Sequence, residues 1–314
     1  MTEPIVIDAE VESDPPTTRP FLVVTHKPGV VNVFSTFGAK QDIGINVNPD
    51  TAADTLWWMN QDWAAQVLAA GIELPQLLAP DAGWVATLNR QWLNREVGTL
   101  RKVDVPRFFA KHPQYLSDHP QVVVSAPGEY TELLNPQIAK SDDLAQGILG
   151  PFDRLPDASM LQLDEMLACV VEVRFWIADH QVTAAAPYRV GMVGWESTLF
   201  MEMLLNAQGQ ELTQKAADIA VIIAAEADAP PGYAIDVGVT LDGTVTVLRA
   251  WPAWAADPLH ADPVGVFMAI TASHDFGYES PQWRWAPDMA VYDRSVPDSP
   301  SPEPTESENP DDDS

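Results

Sequence analysis

The sequence predicts an α+β fold in which antiparallel β-hairpins combine with helices. Two segments, 167–186 and 233–249, alternate apolar and polar residues around a central turn, which is the pattern of a β-hairpin. Helical patterns lie before, between and after these hairpins. Strands and helices do not alternate strictly, so a doubly wound parallel sheet of the Rossmann type is not predicted.

Charge is the most unusual property of the composition. The 314 residues carry a formal net charge of −28, although 46% hydrophobic and 20% charged content is typical of a soluble globular protein. Residues 1–18 and 295–314 together hold twelve of the 45 acidic side chains and contain no lysine or arginine. We expect both segments to be disordered. Because such a surface repels phosphates, no nucleic acid is expected as a general partner.

The N-terminal residues and the apolar runs predict a cytoplasmic protein. The sequence begins with acidic residues where a secretory signal would have basic residues and an apolar segment. No apolar run reaches the roughly 20 residues that span a bilayer, so no membrane association is expected. Cys169 is the only cysteine, which excludes an intrachain disulfide. The sequence leaves the oligomeric state open.

Each element of the N-terminal half is predicted from its local pattern. The apolar, β-branched segments 21–25 and 30–35 are expected to be strands, and 107–111 and 122–125 to be short strands. Residues 52–70 place their apolar members at helical spacing and are expected to form an amphipathic helix.

The C-terminal half contains the two hairpins and three helices. Residues 197–206 and 213–225 have helical patterns. A last helix is expected to begin at Asp262-Pro263, because Asp is a preferred N-cap and Pro suits the first helical position.

Common short motifs for catalysis and metal binding are absent. The sequence has no P-loop, no GxGxxG, no HExxH and no cysteine pair for zinc. Cys169 lies in an apolar strand and is expected to be a core thiol. His260 lies between Asp257 and Asp262 and could bind a metal, but the capping role of Asp262 favours a polar loop.

The first hairpin has one apolar face and one mixed face. Val171, Val173, Phe175 and Ile177 share one face of the strand, whereas Glu172, Arg174 and Trp176 share the other. An acid and a base on one face either point to solvent or line a polar cleft. Periodicity by itself favours solvent.

The second hairpin brings an acid opposite a base. Asp242-Gly243 is a strong two-residue turn signal, and counting back from it places Asp236 opposite Arg249. Paired Cβ atoms would lie about 4.5–5.5 Å apart. Gly238 shares that face and leaves room beside the pair. A cross-strand ion pair is the simplest interpretation.

This hairpin resembles a known family. The stretch PPGYAIDVGVTLDG, followed by an apolar strand and Pro-Ala-Trp, is similar to the metal-binding end of ATP-grasp domains, above all those of a small bacterial and phage clade. Three further segments match in the same order: RFFAKHP around Lys111, MLQLDEML at 160–167, and VEVRFWIADHQVTAAAPYR at 171–189. The resemblance covers about residues 85–272.

The resemblance implies an architecture and an activity. The ATP-grasp fold has two α+β subdomains whose antiparallel sheets hold ATP, here expected at 106–290 after a small N-terminal α/β domain at 19–105. Its members join a carboxylate to an amine or thiol through an acyl-phosphate, with Mg²⁺ shielding the phosphates. The partners would therefore be ATP and a small-molecule or peptide carboxylate and amine that the sequence does not identify.

Site residues follow from the resemblance, position by position. Lys111 would contact the α- and β-phosphates, and Gln162 and Glu165 would lie at the adenine. Glu172 and Arg174 would line the nucleotide or acceptor side, with Arg174 and Arg249 as catalytic candidates. Asp236 would be the first Mg²⁺ carboxylate.

Two positions depart from the family pattern. Where the family has Glu and, two residues later, Asn, this chain has Arg249 and Trp251. Two facing carboxylates need a cation between them, and a guanidinium could take the cation's place. Three hypotheses stay open: a ligase with a degenerate metal site that uses Arg249 to neutralise phosphate, an inactive nucleotide- or partner-binding module, or a protein that keeps only the fold.

Overall fold

A computed structural model describes residues 19–25, 28–42, 47–127, 136–287 and 289. Its strands are β1 (Phe21–Val24), β2 (Lys40–Asp42), β3 (Leu56–Trp58), β4 (Gln76–Leu77), β5 (Val97–Arg101), β6 (Gln121–Ser125), β7 (Gln137–Lys140), β8 (Met160–Glu165), β9 (Cys169–Ala178), β10 (Gln181–Val190), β11 (Val193–Gly194), β12 (Gly232–Thr240), β13 (Val245–Pro252) and β14 (His274–Asp275).

The α-helices are α1 (Pro28–Val33), α2 (Pro49–Ala52), α3 (Gln61–Ala69), α4 (Trp84–Thr87), α5 (Arg90–Leu93), α6 (Val105–Lys111), α7 (Pro113–Asp118), α8 (Ser141–Ala145), α9 (Thr198–Leu205), α10 (Ala207–Glu226) and α11 (Pro263–Ala272). Short 3₁₀ turns occupy Ser35–Phe37, Lys102–Asp104, Gly150–Arg154 and Pro281–Trp283. The two segments predicted to be disordered, 1–18 and 295–314, lie outside the described residues. None of the described helices is long and apolar enough to cross a membrane.

The N-terminal part contains a parallel sheet of order β2-β1-β3. Two predictions here are wrong. Segment 30–35 belongs largely to helix α1, where Val30 and Phe34 lie four residues apart and are both buried, so packing on one helical face overrides the β-propensity of the valines. The predicted helix 52–70 contains strand β3, and α3 begins only after Asn60, whose side chain accepts from the Trp63 N–H.

A smaller antiparallel sheet follows, of order β5-β8-β6-β7. Strand β6 was predicted, but the strand predicted at 107–111 is the end of helix α6. Val105 and Phe109 lie one helical turn apart and are fully buried, and Pro106 occupies the first turn, where its missing N–H costs nothing. Five residues with two phenylalanines cannot be assigned to strand or helix by periodicity alone.

The larger antiparallel sheet has the order β11-β10-β9-β12-β13 and contains both predicted hairpins. One face carries Val171, Val173, Phe175 and Ile177 and packs against the core lined by helix α10. The opposite face begins apolar, where Trp176 and Ala234 pack against the N-terminal sheet and helix α11. Further along β9 and β12, the same face becomes polar.

The polar part of this face is buried, contrary to the solvent exposure that periodicity favoured. Glu172 is 6% exposed, Arg174 7% and Asp236 0%. Alternation along a strand distinguishes its two faces, but it cannot tell whether another element covers the second one. The charges therefore line an interior layer.

The second hairpin reaches the predicted Asp236–Arg249 pairing by another route. Its turn is one residue longer than predicted, because Thr240 and Thr244 are the residues that close it, with Gly243 at φ +87°. The register would then be displaced, but a bulge at Leu248 adds one residue to β13 and restores it.

Two further local predictions, the cap at Asp262 and the core position of Cys169, are confirmed. Asp262 caps α11 by accepting from the Gly265 N–H at 3.0 Å, with Pro263 at the first position. Cys169 is buried at the start of β9. The His260 ring lies 5.8 Å from the Trp195 ring at an interplanar angle of 34°. The described residues hold no group of three His, Cys, Asp or Glu that could bind a metal.

Candidate functional site

A bidentate ion pair lies at the centre of the polar layer. Arg174 on β9 and Asp236 on β12 are direct cross-strand partners. Arg174 Nε donates to Asp236 Oδ1 at 2.7 Å, and Arg174 Nη2 donates to Oδ2 at 3.0 Å. Burial alone would lower the pKa of Arg174, but the charge and hydrogen bonds of Asp236 raise it above its ordinary value. The carboxylate of Asp236 therefore favours the charged form of Arg174, and the two side chains hold each other in place.

Trp251 supplies a further donor to the same carboxylate. Its indole Nε1–H donates to Asp236 Oδ2 at 2.8 Å, and the Arg174 guanidinium lies 4.5 Å from the centre of its ring. The sequence pointed to Arg249 as the guanidinium that holds Asp236. The bidentate guanidinium is instead that of Arg174 on β9, while Arg249 lies opposite Asp236 in the ladder.

A second ion pair lies beside the first. Glu172 on β9 faces Arg189 on β10, and their side chains form a close ion pair. A bulge separates Pro187 from Arg189 in this ladder, so Tyr188 is the extra residue on β10. Tyr188 and Arg189 consequently follow one another on the polar face.

The Tyr188 hydroxyl is buried in this layer without a hydrogen-bond partner among the described residues. The Arg174 guanidinium carbon lies 5.8 Å from the centre of the Tyr188 ring. Burial raises the pKa of Tyr188 well above 10, and the nearby carboxylates of Asp236 and Glu172 add to the rise. The guanidiniums of Arg249 and Arg174 act in the opposite direction, so all four charges act on this hydroxyl.

Arg95 joins the two antiparallel sheets. Its Nη1 approaches Asp164 Oδ1 on β8 to 2.6 Å, without hydrogen-bond alignment, and both side chains are almost fully buried. Its Nε donates to Thr246 Oγ1 at 3.1 Å. Its Nη2 donates to the carbonyls of Val247 and Leu248, at the bulge of β13. One side chain thus fixes β8 of the smaller sheet to β13 of the larger one.

Asp164 is the acid of the smaller sheet that faces this layer. Burial raises its pKa, whereas Arg95, the amide of Gln162 and the charge of Arg249 lower it. Gln162 Nε2 donates to both carboxylate oxygens, at 3.0 and 2.9 Å.

The residues present do not fit the Mg²⁺ that the resemblance implied. The two oxygens of Asp236 already accept three hydrogen bonds from Arg174 and Trp251. The residue opposite Asp236 is a permanent cation, Arg249, in place of a second carboxylate. A divalent ion there would have to displace a bidentate guanidinium and approach another positive charge.

The predicted site residues fall into two groups. Gln162, Glu172, Arg174, Asp236 and Arg249 lie in or beside the polar layer, as described above. Glu165 ends β8 just before the chain crosses to β9, and its carboxylate accepts from the Glu96 N–H at 3.1 Å.

Lys111 is placed differently from the other predicted residues. It is exposed at the end of helix α6. Among the described residues, no ion pair or hydrogen bond joins it to the polar layer. The expected phosphate-binding strand is thus absent at this position, and the phosphate contact stays a prediction.

Four residues of the layer were not among the predicted site residues. They are Arg95, Asp164, Tyr188 and Trp251. Only Trp251 carried a signal, as a departure from the family pattern. Tyr188 depends on a bulge, and Arg95 and Asp164 lie 69 positions apart in sequence. Local patterns cannot predict such a contact.

The family comparison agrees with this architecture. Residues 79–270 match the model of an ATP-grasp domain, family 3 of the R-2-K clade. A search among curated proteins found no match.

Several solved structures are similar in fold at low identity. The D-cycloserine synthetase DcsG matches 80% of this chain and 98% of its own, at 16% identity and a TM-score of 0.49. The D-alanine–D-alanine ligase of Bacillus anthracis matches 82% and 97%, at 14% identity and a TM-score of 0.47. The ATP-grasp ligase PsnB, complexed with a minimal precursor, matches 82% and 99%, at 13% identity and a TM-score of 0.40.

Proposed function

Because the chain belongs to this ATP-grasp domain family, we propose that it binds an ATP-class nucleotide at its polar layer without metal-assisted ligation. This is the binding-module hypothesis raised by the sequence. A ligase that joins a carboxylate to an amine through an acyl-phosphate is the competing hypothesis.

The concentration of guanidinium groups supports a nucleotide. A chain with a net charge of −28 places Arg174, Arg189 and Arg249 on three strands of one sheet. Arg95, in the segment between α5 and β5, adds a fourth. Guanidinium groups are always charged and match phosphate oxygens in geometry. An anionic ligand would therefore bind more favourably beside these arginines than at the acidic surface of the protein.

The proposal of binding without metal chemistry rests on one observation: both carboxylate oxygens of Asp236 already accept hydrogen bonds. In ATP-grasp ligation, Mg²⁺ stabilises the charge that develops during phosphoryl transfer. Here the carboxylate that would bind the ion is fully buried and bonded to Arg174 and Trp251. The exchange of the family's Glu and Asn for Arg249 and Trp251 removes the other two ligands.

The same guanidinium cluster is what favours the ligase hypothesis. Arg249 could neutralise phosphate charge in place of an ion, as arginine does in other phosphoryl-transfer sites. The carboxylate and amine substrates, small molecules or peptides, would then still have to be found.

Binding and turnover are tested separately on the full chain. We expect isothermal titration to give saturable ATP binding, and ADP release with Mg²⁺ and an amino-acid mixture to stay at the buffer rate. ADP release above that rate, abolished by Arg249→Leu, would establish the ligase instead. Absence of binding to ATP, ADP and AMP alike would leave only a retained fold.

A further inference from the structure

The buried hydroxyl of Tyr188 belongs to no ion pair of the described layer, and the adjacent Arg189 Nε likewise has no hydrogen-bond partner there. Asp236 accepts hydrogen bonds from Arg174 and Trp251, and Asp164 accepts from Gln162. Glu172 forms an ion pair with Arg189, and Asp164 forms one with Arg95. Tyr188 Oη has no such partner among the described residues. A buried hydroxyl without a hydrogen bond destabilises the folded state, so the presence of Tyr188 at this position needs an explanation.

A bulge directs Tyr188 into the layer. The extra residue on β10 lies between Pro187, which faces Val173, and Arg189, which faces Glu172. The Tyr188 carbonyl accepts from the Trp195 N–H at 3.0 Å, which anchors the bulge to the chain beyond β10. Bulges commonly redirect a side chain next to a binding site. The orientation of this ring is thus built into the sheet.

The charges around the Tyr188 hydroxyl indicate which chemical group of a ligand it would bind. Carboxylates of Asp236 and Glu172 act on Tyr188, but each is already neutralised by its own arginine. The Arg174 guanidinium carbon lies 5.8 Å from the centre of the Tyr188 ring, and Arg249 lies opposite Asp236 on β13. An O–H donor beside guanidiniums matches an anionic oxygen acceptor better than a cation or an apolar group.

We propose that the Tyr188 hydroxyl donates a hydrogen bond to an anionic oxygen of the bound ligand, in a subsite shared with Arg174 and Arg249. The oxygen belongs to a phosphoryl or a carboxylate group. This inference rests on the proposed function only in placing the ligand at the polar layer, and it makes Tyr188 a ligand-binding residue.

Tyr188→Phe is the decisive variant, and Tyr233→Phe is its matched control. Tyr233 also buries a hydroxyl without a partner among the described residues, but it lies in the apolar core, with its ring 5.4 Å from that of Trp84. Both changes remove one oxygen from a buried, unpartnered position. Neither should lower the melting temperature of the unliganded protein.

The probes are ATP, adenosine, inorganic tripolyphosphate and glutamate, titrated calorimetrically into the full chain. We expect Tyr188→Phe to weaken ATP binding about tenfold or more, and Tyr233→Phe to leave it unchanged. Adenosine binding should be the same in all three proteins. A matching loss with tripolyphosphate assigns a phosphoryl oxygen to the subsite, and a loss with glutamate assigns a carboxylate.

Three results would overturn the inference. ATP binding equal in wild type and Tyr188→Phe would refute the hydroxyl contact while leaving nucleotide binding intact. A fall in melting temperature of several degrees in Tyr188→Phe alone would show that the hydroxyl has a structural partner. A wild type that binds none of the four probes would refute both this inference and the proposed function.

Discussion

At the scale of single residues, the chemistry of this protein depends on which atoms surround the two oxygens of Asp236. A carboxylate that faces a second acid attracts a divalent cation, whereas one that faces arginine forms an ion pair. The sequence identified the acid and the loss of its family partners. It could not identify Arg174 as the residue that holds the acid, because β9 and β12 are 62 positions apart at that pair.

Loss of one partner of the buried Arg174–Asp236 pair should destabilise the protein strongly. We predict that Asp236→Asn lowers the free energy of unfolding by about 3–5 kcal/mol, because it leaves a buried guanidinium without its counter-charge. Urea denaturation measures this change. Asp242→Asn, in the exposed turn of the same hairpin, is the control and should have little effect.

Removal of both charges of the pair should cost less stability than removal of one. Arg174→Met combined with Asp236→Leu should be less destabilising than Asp236→Asn alone, since no unpaired charge stays buried. If the double variant were as unstable as the sum of its parts, the pair would not be coupled as its geometry indicates.

His274 makes stability depend on pH. Its Nε2 accepts from the Trp57 N–H at 3.0 Å and its Nδ1 lies 2.8 Å from the Ile270 carbonyl, so the buried ring is held neutral. Burial lowers its pKa from 6.5 to about 4. Between these values the unfolded chain takes up a proton that the folded protein resists. The contribution of His274 is therefore complete above pH 6.5 and is lost as pH falls, by roughly 3 kcal/mol near pH 4.

The contribution of His274 is measured as the difference in stability between wild type and His274→Gln at each pH. Urea denaturation of wild type and His274→Gln at pH 7, 6, 5 and 4.5 should give stabilities that converge toward low pH. Other titrating groups contribute equally to both proteins and cancel. Parallel curves for the two proteins would contradict a buried neutral histidine.

At the scale of elements, two bulges position the site. One in β10 brings Tyr188 and Arg189 onto the polar face, and one in β13 restores the Asp236–Arg249 pairing and presents carbonyls to Arg95. Alternation and the turn signal were sufficient to predict both hairpins. The bulges were not predictable, because an added residue leaves no local mark in the sequence until its strand partner is known.

Gly238 tests how closely β12 is packed at this point. A Cβ there would lie 2.5 Å from Cys169 Sγ and 3.1 Å from Leu248 Cδ1. We predict that Gly238→Ala costs about 1–3 kcal/mol by overpacking, and that Cys169→Ala in the same background recovers much of it. Thermal or urea denaturation measures both changes.

Gly98→Ala on β5 is the control for this substitution. No atom lies within 4 Å of its added Cβ, so little change in stability is expected. Equal losses at Gly238 and Gly98 would mean that backbone effects, and not the contact with Cys169, set the cost.

Short elements were harder to predict than the hairpins. Residues 30–35 and 107–111 were assigned to strands because β-branched and aromatic residues favour them, yet both segments bury apolar residues at helical spacing against neighbouring sheets. In elements of about six residues, the apolar pattern fits helix and strand periodicity alike, and tertiary packing decides which one forms. The long helix α10 and the strand pairs, with more turns and more contacts, were predicted correctly in type.

At the scale of the whole molecule, the fold places a polar layer where two antiparallel sheets meet. Arg95 connects β8 to β13, and the N-terminal sheet with α11 covers the apolar end of the same face. Resemblance to the ATP-grasp family predicted the two sheets, and the family match over residues 79–270 bears it out. The predicted boundary between 19–105 and 106–290 stays a prediction.

The most direct test of the central claim is the dissociation constant of ATP, measured by calorimetry in excess Mg²⁺ and again in EDTA. Because Arg174 and Trp251 occupy the oxygens of Asp236, binding should be no tighter with Mg²⁺ than with EDTA. Binding about tenfold tighter or more with Mg²⁺, with the advantage lost in Asp236→Asn, would contradict the account.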